Sequence, residues 1–381
     1  MIERLLVCRG RGTDPYENLA LEEALLSRVG EGDLILYLWQ NERTVVIGRN
    51  QNPWKECRTA LLAEEGGRLA RRLSGGGAVF HDLGNLNFTF LMAEADYDLP
   101  RQLTVLERAC RSLGIPAQRS GRNDLLADGR KFSGNAFYKH NGRAYHHGTL
   151  MVDVDLEMVQ RYLSPSKAKL AAKGVDSVRS RVVNLREFVP ELTIEQLSDA
   201  LTAALAEVYD AARAICPPGE ATGNRQQATG DERGTAERNV GTSIACPPTS
   251  ESLIACHSER SEESVPLSSV LSLDVNVIDL RALTEKYKSD AWLYGQKLPF
   301  TASVENRFPW GGVELQLKVN EGVIRAAKVY TDAMDETLAG TVEEMLMGCP
   351  FQFSPLSAAL GSAPLAERVK ADLLSLLRTA I

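Results

Sequence analysis

Two tight-turn dipeptides in the middle of the chain limit its fold more than any other local feature. Asp128-Gly129 separates the apolar run LLA from RKFSG, and Asn141-Gly142 separates AFYKH from RAYHHGTLMV. Both central residues of a type I′ turn need a positive φ, and Asp-Gly and Asn-Gly are the pairs that adopt it most readily. We therefore predict three consecutive antiparallel strands joined by two hairpins.

Helix signals are mixed with these strands without a strict alternation. Asp14-Pro15 supplies an N-cap and a first-turn proline before NLALEEALLSRV, and LPRQLTVLERACRSLG ends at Gly114. The runs DLILYLWQ and TVVIGR are predicted to be strands that pair with each other. Because strands and helices do not alternate regularly, we predict an α+β fold with mixed, mostly antiparallel sheets.

The composition changes abruptly in the second half of the chain. Residues 210–286 contain no Phe, Trp or Tyr, and much of this stretch consists of Gly, Ser, Thr, Glu, Arg and Pro. Such a segment buries too little apolar surface to offset the entropy lost on ordering. We predict a larger domain over 1–213, a low-complexity disordered insert over 214–270 and a small α+β domain over 271–381.

Charge and cysteine content exclude several classes of protein. The 43 Lys+Arg and 50 Asp+Glu give a net charge of −7, which argues against a protein that mainly holds nucleic acid. No apolar run approaches the roughly 18 residues of a membrane span, and no secretory signal opens the chain. Seven cysteines without a CxxC pair disfavour a disulfide framework or a structural zinc site. We expect a cytoplasmic protein with no nucleic-acid or membrane partner.

The segment Arg71-Arg72-Leu73-Ser74-Gly75-Gly76-Gly77 is the first candidate site. Three glycines between strands allow close approach of a ligand and can direct backbone N–H groups at an anion. Two arginines beside them can bind phosphate or carboxylate through paired hydrogen bonds. The segment matches neither GxxxxGK[ST] nor GxGxxG. It predicts an anion site, with a flexible turn as the alternative.

A lysine and two aspartates near the first hairpin form the second candidate. Lys131 follows the Asp128-Gly129 turn, where its ammonium can reach a phosphate or a carboxylate. An exposed hairpin lysine without a function is the alternative. Asp124 and Asp128 can hold Mg²⁺ or cap turns.

Adjacent histidines are the third candidate. His146 and His147 lie on a predicted strand, so their side chains point to opposite faces and at most one enters a given pocket. This arrangement disfavours a two-histidine metal site. A hydrogen-bonded structural histidine is the alternative for either residue.

Together these segments resemble the lipoate–protein ligase A family. The matching stretches are RRLSGGGAVFHDLGNLNFTF, GRNDLLADGRKFSGNAF and HHGTL, with TVVIGRNQNPWKEC before them and KLAAKGVDSVRSRVVNL after them. WLYGQKLPF and RFPWGGVELQLKV resemble the small accessory domain of that family. The resemblance implies a biotin/lipoate ligase-like catalytic domain that binds lipoate and ATP over 1–213 and an accessory domain over 271–381.

The resemblance also implies an activity. Enzymes of this family use ATP, with Mg²⁺, to convert free lipoate to lipoyl-AMP, and then transfer the lipoyl group to a lysine of an acceptor protein. The acceptors are lipoyl domains of 2-oxoacid dehydrogenase complexes and the glycine-cleavage H protein.

Residue roles follow from the same resemblance. Nucleotide contacts are implied for Arg72, Gly77, Ala78, Val79 and Phe80. Lys131 is implied to contact both the lipoyl carbonyl and the α-phosphate, Ser74 and His147 to line the pocket near the reacting end, and Trp39 to wall the dithiolane. Asp124 is a candidate Mg²⁺ partner. Tyr138 stands where the best-known branch of the family has an arginine, and no contact is assigned to it.

Other reactions are known on the same fold. Biotin ligases use a different arginine-glycine loop, and acyl-enzyme octanoyltransferases need a cysteine near HGT, whereas no cysteine lies between Cys110 and Cys216. A lipoyltransferase that accepts ready-made lipoyl-AMP stays an alternative. A non-catalytic lipoate binder predicts loss of the arginine pair or of Lys131, and both are present.

Overall fold

The computed structural model describes residues 2–121, 124–164, 182–215, 270–295 and 298–379, and for residues 210–215 the backbone alone. Its strands are β1 (Arg4–Arg9), β2 (Asp33–Trp39), β3 (Thr44–Ile47), β4 (Arg68–Arg71), β5 (Val79–His81), β6 (Asn85–Ala93), β7 (Ala117–Ser120), β8 (Asp124–Ala127), β9 (Arg130–His140), β10 (Arg143–Met151), β11 (Val270–Ser272), β12 (Ala302–Phe308), β13 (Gly311–Asn320) and β14 (Val323–Thr331). Its α-helices are α1 (Pro15–Arg28), α2 (Pro53–Glu56), α3 (Thr59–Glu64), α4 (Leu99–Ser112), α5 (Leu156–Tyr162), α6 (Ile194–Ile215), α7 (Arg281–Lys288), α8 (Asp290–Leu293), α9 (Leu338–Leu346), α10 (Phe353–Gly361) and α11 (Glu367–Arg378).

Within these residues the strands form one large and two small sheets. The large sheet has the order β11-β1-β2-β6-β10-β9-β8-β7, and the small sheets have the orders β4-β3-β5 and β12-β13-β14. β1 runs parallel to both of its neighbours, whereas the pairs from β2–β6 through β7–β8 are antiparallel. The predicted α+β architecture with mixed, mostly antiparallel sheets is confirmed.

Both predicted hairpins are present. Asp128 and Gly129 turn between β8 and β9 with φ of 50° and 70°, and Asn141 and Gly142 turn between β9 and β10 with φ of 49° and 71°. These are the positive φ angles that a type I′ turn requires. The helix predicted after Asp14 is also present, because the Asp14 side chain accepts hydrogen bonds from the backbone N–H groups of Tyr16 and Glu17.

The predicted pairing of β2 with β3 is wrong. β2 lies between β1 and β6 in the large sheet, whereas β3 pairs with β4 and β5 in a separate sheet. Both strands are buried along their whole length, and each has a partner strand on both sides. An apolar run predicts a strand, but the partner depends on tertiary packing that local pattern does not contain.

The large sheet has a hydrophobic core on each face, because successive side chains of a strand point in opposite directions. Phe88 and Phe90 of β6 pack with α4 and α6 on one face. Leu91 of the same strand packs with α1 on the other face, together with Tyr37 and Tyr145. The α1 face also carries the candidate site.

The chain after residue 270 contributes to both of the predicted domains, which are called the larger unit and the small unit below. β11 pairs with β1, and Leu280 and Tyr287 pack against α1, so residues 270–295 belong to the core of the larger unit. The sequence grouped this segment with the small domain, but its apolar residues are buried by α1. The small unit is therefore β12–β14 with α9–α11 around its own core, which includes Leu315 and Val342.

The predicted insert falls almost wholly outside the described residues, which stop at Ile215 and resume at Val270. Among the described helices, none combines the length and the apolar character that a membrane crossing requires.

Candidate functional site

A cavity of about 210 Å³ lies between the large sheet and the β4-β3-β5 sheet. Its walls include the following predicted site residues: Trp39, Arg72, Gly77, Ala78, Val79, Lys131 and His147. The structure therefore brings together residues that are far apart in the sequence. Ser74, Asp124 and Phe80 are not part of the lining. Ser74 contacts His147, Asp124 contacts Lys131, and Phe80 is buried against Tyr162 at 5.5 Å between ring centroids.

Arg72 supports the glycine loop through hydrogen bonds. Its buried guanidinium donates to the carbonyl oxygens of Gly75 (2.7 Å), Gly77 (2.8 Å) and Val46 (3.2 Å), and to Ser74 Oγ (3.0 Å). Burial lowers the pKa of Arg72 to about 10, so it stays charged at neutral pH. These contacts hold the loop in one conformation. The implied contact of Arg72 with a nucleotide stays a prediction.

Arg71 points away from the cavity. Its guanidinium donates to the carbonyl oxygens of Arg49 (2.8 Å) and Gln51 (2.9 Å) on one side and of Leu293 (2.6 Å) and Trp292 (2.9 Å) on the other. The Trp292 indole N–H returns a hydrogen bond of 2.8 Å to the Arg71 carbonyl. Arg71 therefore joins the chain after β3 to the segment after α7, and the arginine pair serves two different purposes.

Lys131 stands half-exposed at the edge of the cavity. Its Nζ lies 2.7 Å from Asp124 Oδ1, and both side chains are little more than one-third exposed. The side chain passes over Gly134, where an added Cβ would come within 3.0 Å of Nζ. The hairpin that was predicted from Asp128-Gly129 thus directs a flexible ammonium group towards the cavity.

A continuous set of hydrogen bonds connects the cavity wall to the buried interior. Trp39 Nε1 donates to Thr89 Oγ1 (3.1 Å), which donates to Glu22 Oε1 (2.7 Å). His147 Nδ1 lies 2.8 Å from the same Glu22 oxygen, and His147 Nε2 lies 2.8 Å from Ser74 Oγ. A carboxylate only accepts, so Nδ1 carries the histidine proton and Nε2 accepts from the Ser74 hydroxyl. Ser74 and His147 are therefore tied to Trp39 through Glu22.

His146 faces the opposite side of β10, as the strand alternation predicts. Its ring nitrogens lie 3.0 Å from Gln102 Oε1 and 2.9 Å from Asn135 Oδ1, and the ring is packed by Phe88 and Phe90. Burial lowers the pKa of His146 to about 3, with His147 as a second, smaller cause. The structural alternative therefore applies to His146, and only His147 reaches the cavity.

The buried His146 predicts a loss of stability in acid. An unfolded histidine takes up a proton below about pH 6.5, whereas the folded ring stays neutral down to about pH 3. The free energy of unfolding should therefore be highest above pH 6.5 and should fall as the pH decreases towards 3. Between pH 7 and pH 4, the free energy of unfolding measured in urea should fall by about 2–3 kcal/mol less for His146→Gln than for the wild type. Replacing the exposed His140 by Gln is the matched control. If the free energy of unfolding depended on pH equally in all three proteins, buried His146 would not be the cause of the loss in acid.

The small unit covers one side of the glycine loop. The backbone N–H of Gly76 donates to the Ala333 carbonyl (3.1 Å), and Met334 lines the cavity. The Thr331 N–H donates to the Asn50 carbonyl (2.9 Å) nearby. The segment after β14 is therefore part of the cavity wall.

Gly75→Ala should disturb this contact. An added Cβ would lie 2.4 Å from the Ala333 carbonyl oxygen and 2.6 Å from that of Met334, and backbone atoms can give way only if the two units separate slightly. We expect the free energy of unfolding in urea to fall by about 1–3 kcal/mol. Gly12→Ala, where an added Cβ meets nothing within 4 Å, is the control. Equal stability of the two variants would show that the units are not in firm contact.

The site residues that were missed at the level of sequence include Glu22, His81, Asn87 and Met334. Glu22 was detectable, because an acidic residue three positions from both Leu19 and Leu25 lies on the apolar face of α1. His81, Asn87 and Met334 carry no local signal, since their role depends on which elements meet at the cavity.

Comparisons with known proteins agree with this arrangement. The sequence profile of the lipoyl protein ligase A/B catalytic domain matches residues 14–206, which is just over half of the chain. The chain belongs to the lipoyl protein ligase A/B family. The profile of the bacterial lipoate protein ligase C-terminus matches residues 297–377.

Solved structures are also similar to this ligase. Plasmodium falciparum LipL1 in complex with lipoate shares its fold, with a TM-score of 0.73 and 24% identity over 97% of this chain and 98% of that one. A bi-partite lipoate protein ligase from Thermoplasma acidophilum, studied with its E2 lipoyl domain, has a TM-score of 0.50 and 29% identity over 55% of this chain and 85% of that one. The family and the biotin/lipoate ligase-like fold implied by the sequence motifs are confirmed, and so is the class of enzyme, a lipoate–protein ligase.

Proposed function

We propose that this ligase uses ATP to convert free lipoate to lipoyl-AMP and then transfers the lipoyl group to a lysine of a lipoyl domain. One observation carries the proposal. The charged Lys131 and the arginine-supported glycine loop share a single cavity with the apolar wall around Trp39. An acid with a long apolar tail needs this combination, because one end must meet charge and the other must leave water.

In the first half-reaction, an oxygen of the lipoate carboxylate attacks the α-phosphorus of ATP. The bond from that phosphorus to the bridging oxygen breaks, and pyrophosphate leaves with the electron pair. The Lys131 ammonium, set between the two reacting groups, attracts the negative charge of both and stabilises the charge that builds up on the α-phosphate oxygens. Its side chain is a little more than one-third exposed beside Asp124 and lines the cavity, so a bound substrate can contact it.

In the second half-reaction, the neutral ε-amine of an acceptor lysine attacks the lipoyl carbonyl carbon. An amide forms, AMP leaves with the electron pair of the acyl–oxygen bond, and the amine releases a proton. The relative from T. acidophilum was studied together with an E2 lipoyl domain, which supports lipoyl domains of 2-oxoacid dehydrogenases as acceptors. The glycine-cleavage H protein is the second proposed acceptor.

The residues divide between the two substrates. Gly77, Ala78 and Val79 are proposed to contact the nucleotide, in a loop that Arg72 holds in place and that leads into Phe80. Trp39 and His147 are proposed to contact the lipoyl group, with Ser74 behind them. Each Å² of apolar surface that the alkyl chain buries contributes roughly 25 cal/mol to binding.

Magnesium is proposed to bind with the nucleotide. The described residues contain no group of three His, Cys, Asp or Glu side chains that could hold a metal ion by themselves. Mg²⁺ is commonly held by one or two carboxylates together with substrate phosphates, and Asp124 beside Lys131 fits the role of such a carboxylate. The ion would neutralise phosphate charge when bound.

The first half-reaction, formation of lipoyl-AMP, can be tested first. Purified protein should exchange labelled pyrophosphate into ATP only when lipoate is present, because the exchange requires reversible formation of lipoyl-AMP. Addition of a lipoyl domain should then give a stable amide and AMP. The absence of exchange by folded protein would contradict the activation step.

The transferase alternative has its own signature. A lipoyltransferase would modify the lipoyl domain when given synthetic lipoyl-AMP but would show no exchange with lipoate and ATP. A protein that binds lipoate without either reaction would be a non-catalytic binder.

We also propose a reducing, cytoplasmic location, which the free thiols of the four described cysteines support.

A further inference from the structure

Two residues that line the cavity each carry a buried N–H group with no acceptor among the described residues. These groups are His81 Nε2 and Asn87 Nδ2, and both side chains are at least 97% buried. Neither takes part in the hydrogen-bonded set that ends on Glu22. Buried donors without an acceptor are uncommon in folded proteins and call for an explanation.

The proton of His81 is fixed by its surroundings. Asn18 Nδ2 donates to Asn41 Oδ1 (3.0 Å), so the amide nitrogen of Asn41 is the atom that lies 3.1 Å from His81 Nδ1. Nδ1 therefore accepts, and the ring proton is on Nε2, the nitrogen without a partner among the described residues. Burial, followed by Arg72 and His147, lowers the pKa of His81 to about 3, so the ring is a neutral donor at physiological pH.

The orientation of Asn87 is fixed in the same way. Its Oδ1 accepts from Asn85 Nδ2 at 2.9 Å, so Nδ2 is the end of the amide without a partner among the described residues. His81 and Asn87 therefore each carry a neutral donor without a partner among the described residues.

Strand register places Asn87 at a defined distance from Gly134, which lies beneath the Lys131 side chain. Asn87 is opposite Thr149 on β10 and opposite Trp39 on β2, while Thr149 Oγ1 accepts from the Gly134 N–H at 3.4 Å. Gly134, over which the Lys131 side chain passes, is thus two strands from Asn87, or about 10 Å at the usual strand spacing. The His81 ring meets Trp39 edge-on at 6.2 Å.

This distance matches the length of the acyl substrate. Five carbon–carbon bonds of about 1.5 Å in zigzag, followed by a ring, span roughly 6–9 Å. A lipoate whose carboxylate is near Lys131 therefore brings its ring, not its carboxylate, beside Asn87 and Trp39.

We propose that His81 and Asn87 donate hydrogen bonds to the ring sulfurs of the acyl substrate, and so select a sulfur-containing ring over a hydrocarbon group of the same shape. The inference rests on the proposed function. Sulfur is a weak acceptor, but a hydrocarbon offers none, and leaving a buried donor without any acceptor has a substantial cost in binding. A site built to hydrogen-bond its substrate rejects an analogue that lacks the acceptor far better than it rejects one of a different length.

The test compares lipoate with 5-cyclopentylpentanoate, in which carbon replaces both sulfurs and the shape is kept. For each acid, kcat/KM is measured in the pyrophosphate exchange reaction. The wild type should favour lipoate by about tenfold or more, and Asn87→Leu and His81→Phe should each reduce that preference by about five- to tenfold. The preference is a ratio within one protein, so a smaller folded fraction in a variant cancels out. Octanoate is the third substrate and should behave like the cyclopentyl acid.

One result would overturn the proposal. An unchanged preference in both variants would mean that the donors do not contact the ring, whether kcat/KM stays the same for both acids or falls equally for both. Failure of the proposed function is distinguishable, because the wild type would then show no exchange with any of the three acids.

Discussion

Lys131→Ala is expected to lower lipoate-dependent pyrophosphate exchange by at least about 100-fold. Among the described residues, Lys131 carries the one cation at the cavity edge that is neither buried nor hydrogen-bonded to backbone carbonyl oxygens. Arg71 and Arg72, by contrast, donate their hydrogen bonds to carbonyl oxygens of the protein itself. The loss should appear in kcat more than in the KM for lipoate, because the charge that Lys131 stabilises grows in the transition state. Single-turnover formation of lipoyl-AMP provides the same measurement without exchange.

Lys139→Ala is the matched control for this prediction. Lys139 lies on the same strand, and its Nζ contacts a carboxylate, Glu94, at 3.1 Å, but it is exposed and distant from the cavity lining. Its removal should leave exchange within about twofold of the wild type, as expected for a surface ion pair. Equal effects of the two substitutions would remove Lys131 from the reaction.

Asp124→Asn separates two roles for the carboxylate beside Lys131. If Asp124 helps to bind Mg²⁺, the variant should need several-fold more Mg²⁺ for half-maximal exchange. If Asp124 only positions Lys131, kcat should fall at every Mg²⁺ concentration, and the Mg²⁺ concentration that gives half-maximal exchange should stay unchanged. We expect the first result, and the second would exclude Asp124 from the proposed metal site.

Arg71→Met is expected to destabilise the protein by about 3–5 kcal/mol. Methionine fills much of the same space but leaves the carbonyl groups of residues 49, 51, 292 and 293 without their charged donor. Hydrogen bonds to a charged group contribute about 1.5–3 kcal/mol each, so the loss of several is large even after partial compensation by water. Urea unfolding measures the change.

Arg68→Met, on the same strand but exposed, is the control and should change stability by less than about 0.5 kcal/mol. Limited proteolysis adds a local measurement. Cleavage after α7 should become faster in Arg71→Met, because Trp292 and Leu293 lose their attachment. If the two arginine variants were equally stable, Arg71 would not be the link between these segments.

The sequence was most informative where the signal is local. Asp128-Gly129 and Asn141-Gly142 predicted two hairpins, and the Asp14 cap predicted α1, because a turn or a helix end depends on a few adjacent residues. Seven of the ten residues to which the family resemblance implied a role line the cavity, whereas Ser74, Phe80 and Asp124 do not. The pairing of β3 was not predictable from its own residues, since its partners come from residues 68–81.

The arginine pair illustrates the limit for site residues. Sequence alone predicts that Arg71 and Arg72 can bind an anion, but a guanidinium also donates to neutral carbonyl oxygens when these are in reach. Which of these happens depends on residues such as Trp292, more than 200 positions away. Met334 is a similar case, because it reaches the cavity only through the packing of the small unit on the glycine loop.

The hydrogen-bonded set from Trp39 to Ser74 has a consequence for redesign of the acyl pocket. Substitutions at Trp39 and at His147 both remove a partner of the same carboxylate, directly or through Thr89, so their effects will not be independent. A variant that trims Trp39 to admit a bulkier acyl group also alters the environment of Glu22 and therefore the alignment of His147. Pocket volume and pocket polarity are thus coupled in this protein, and libraries that vary the two positions together will find combinations that single substitutions do not predict.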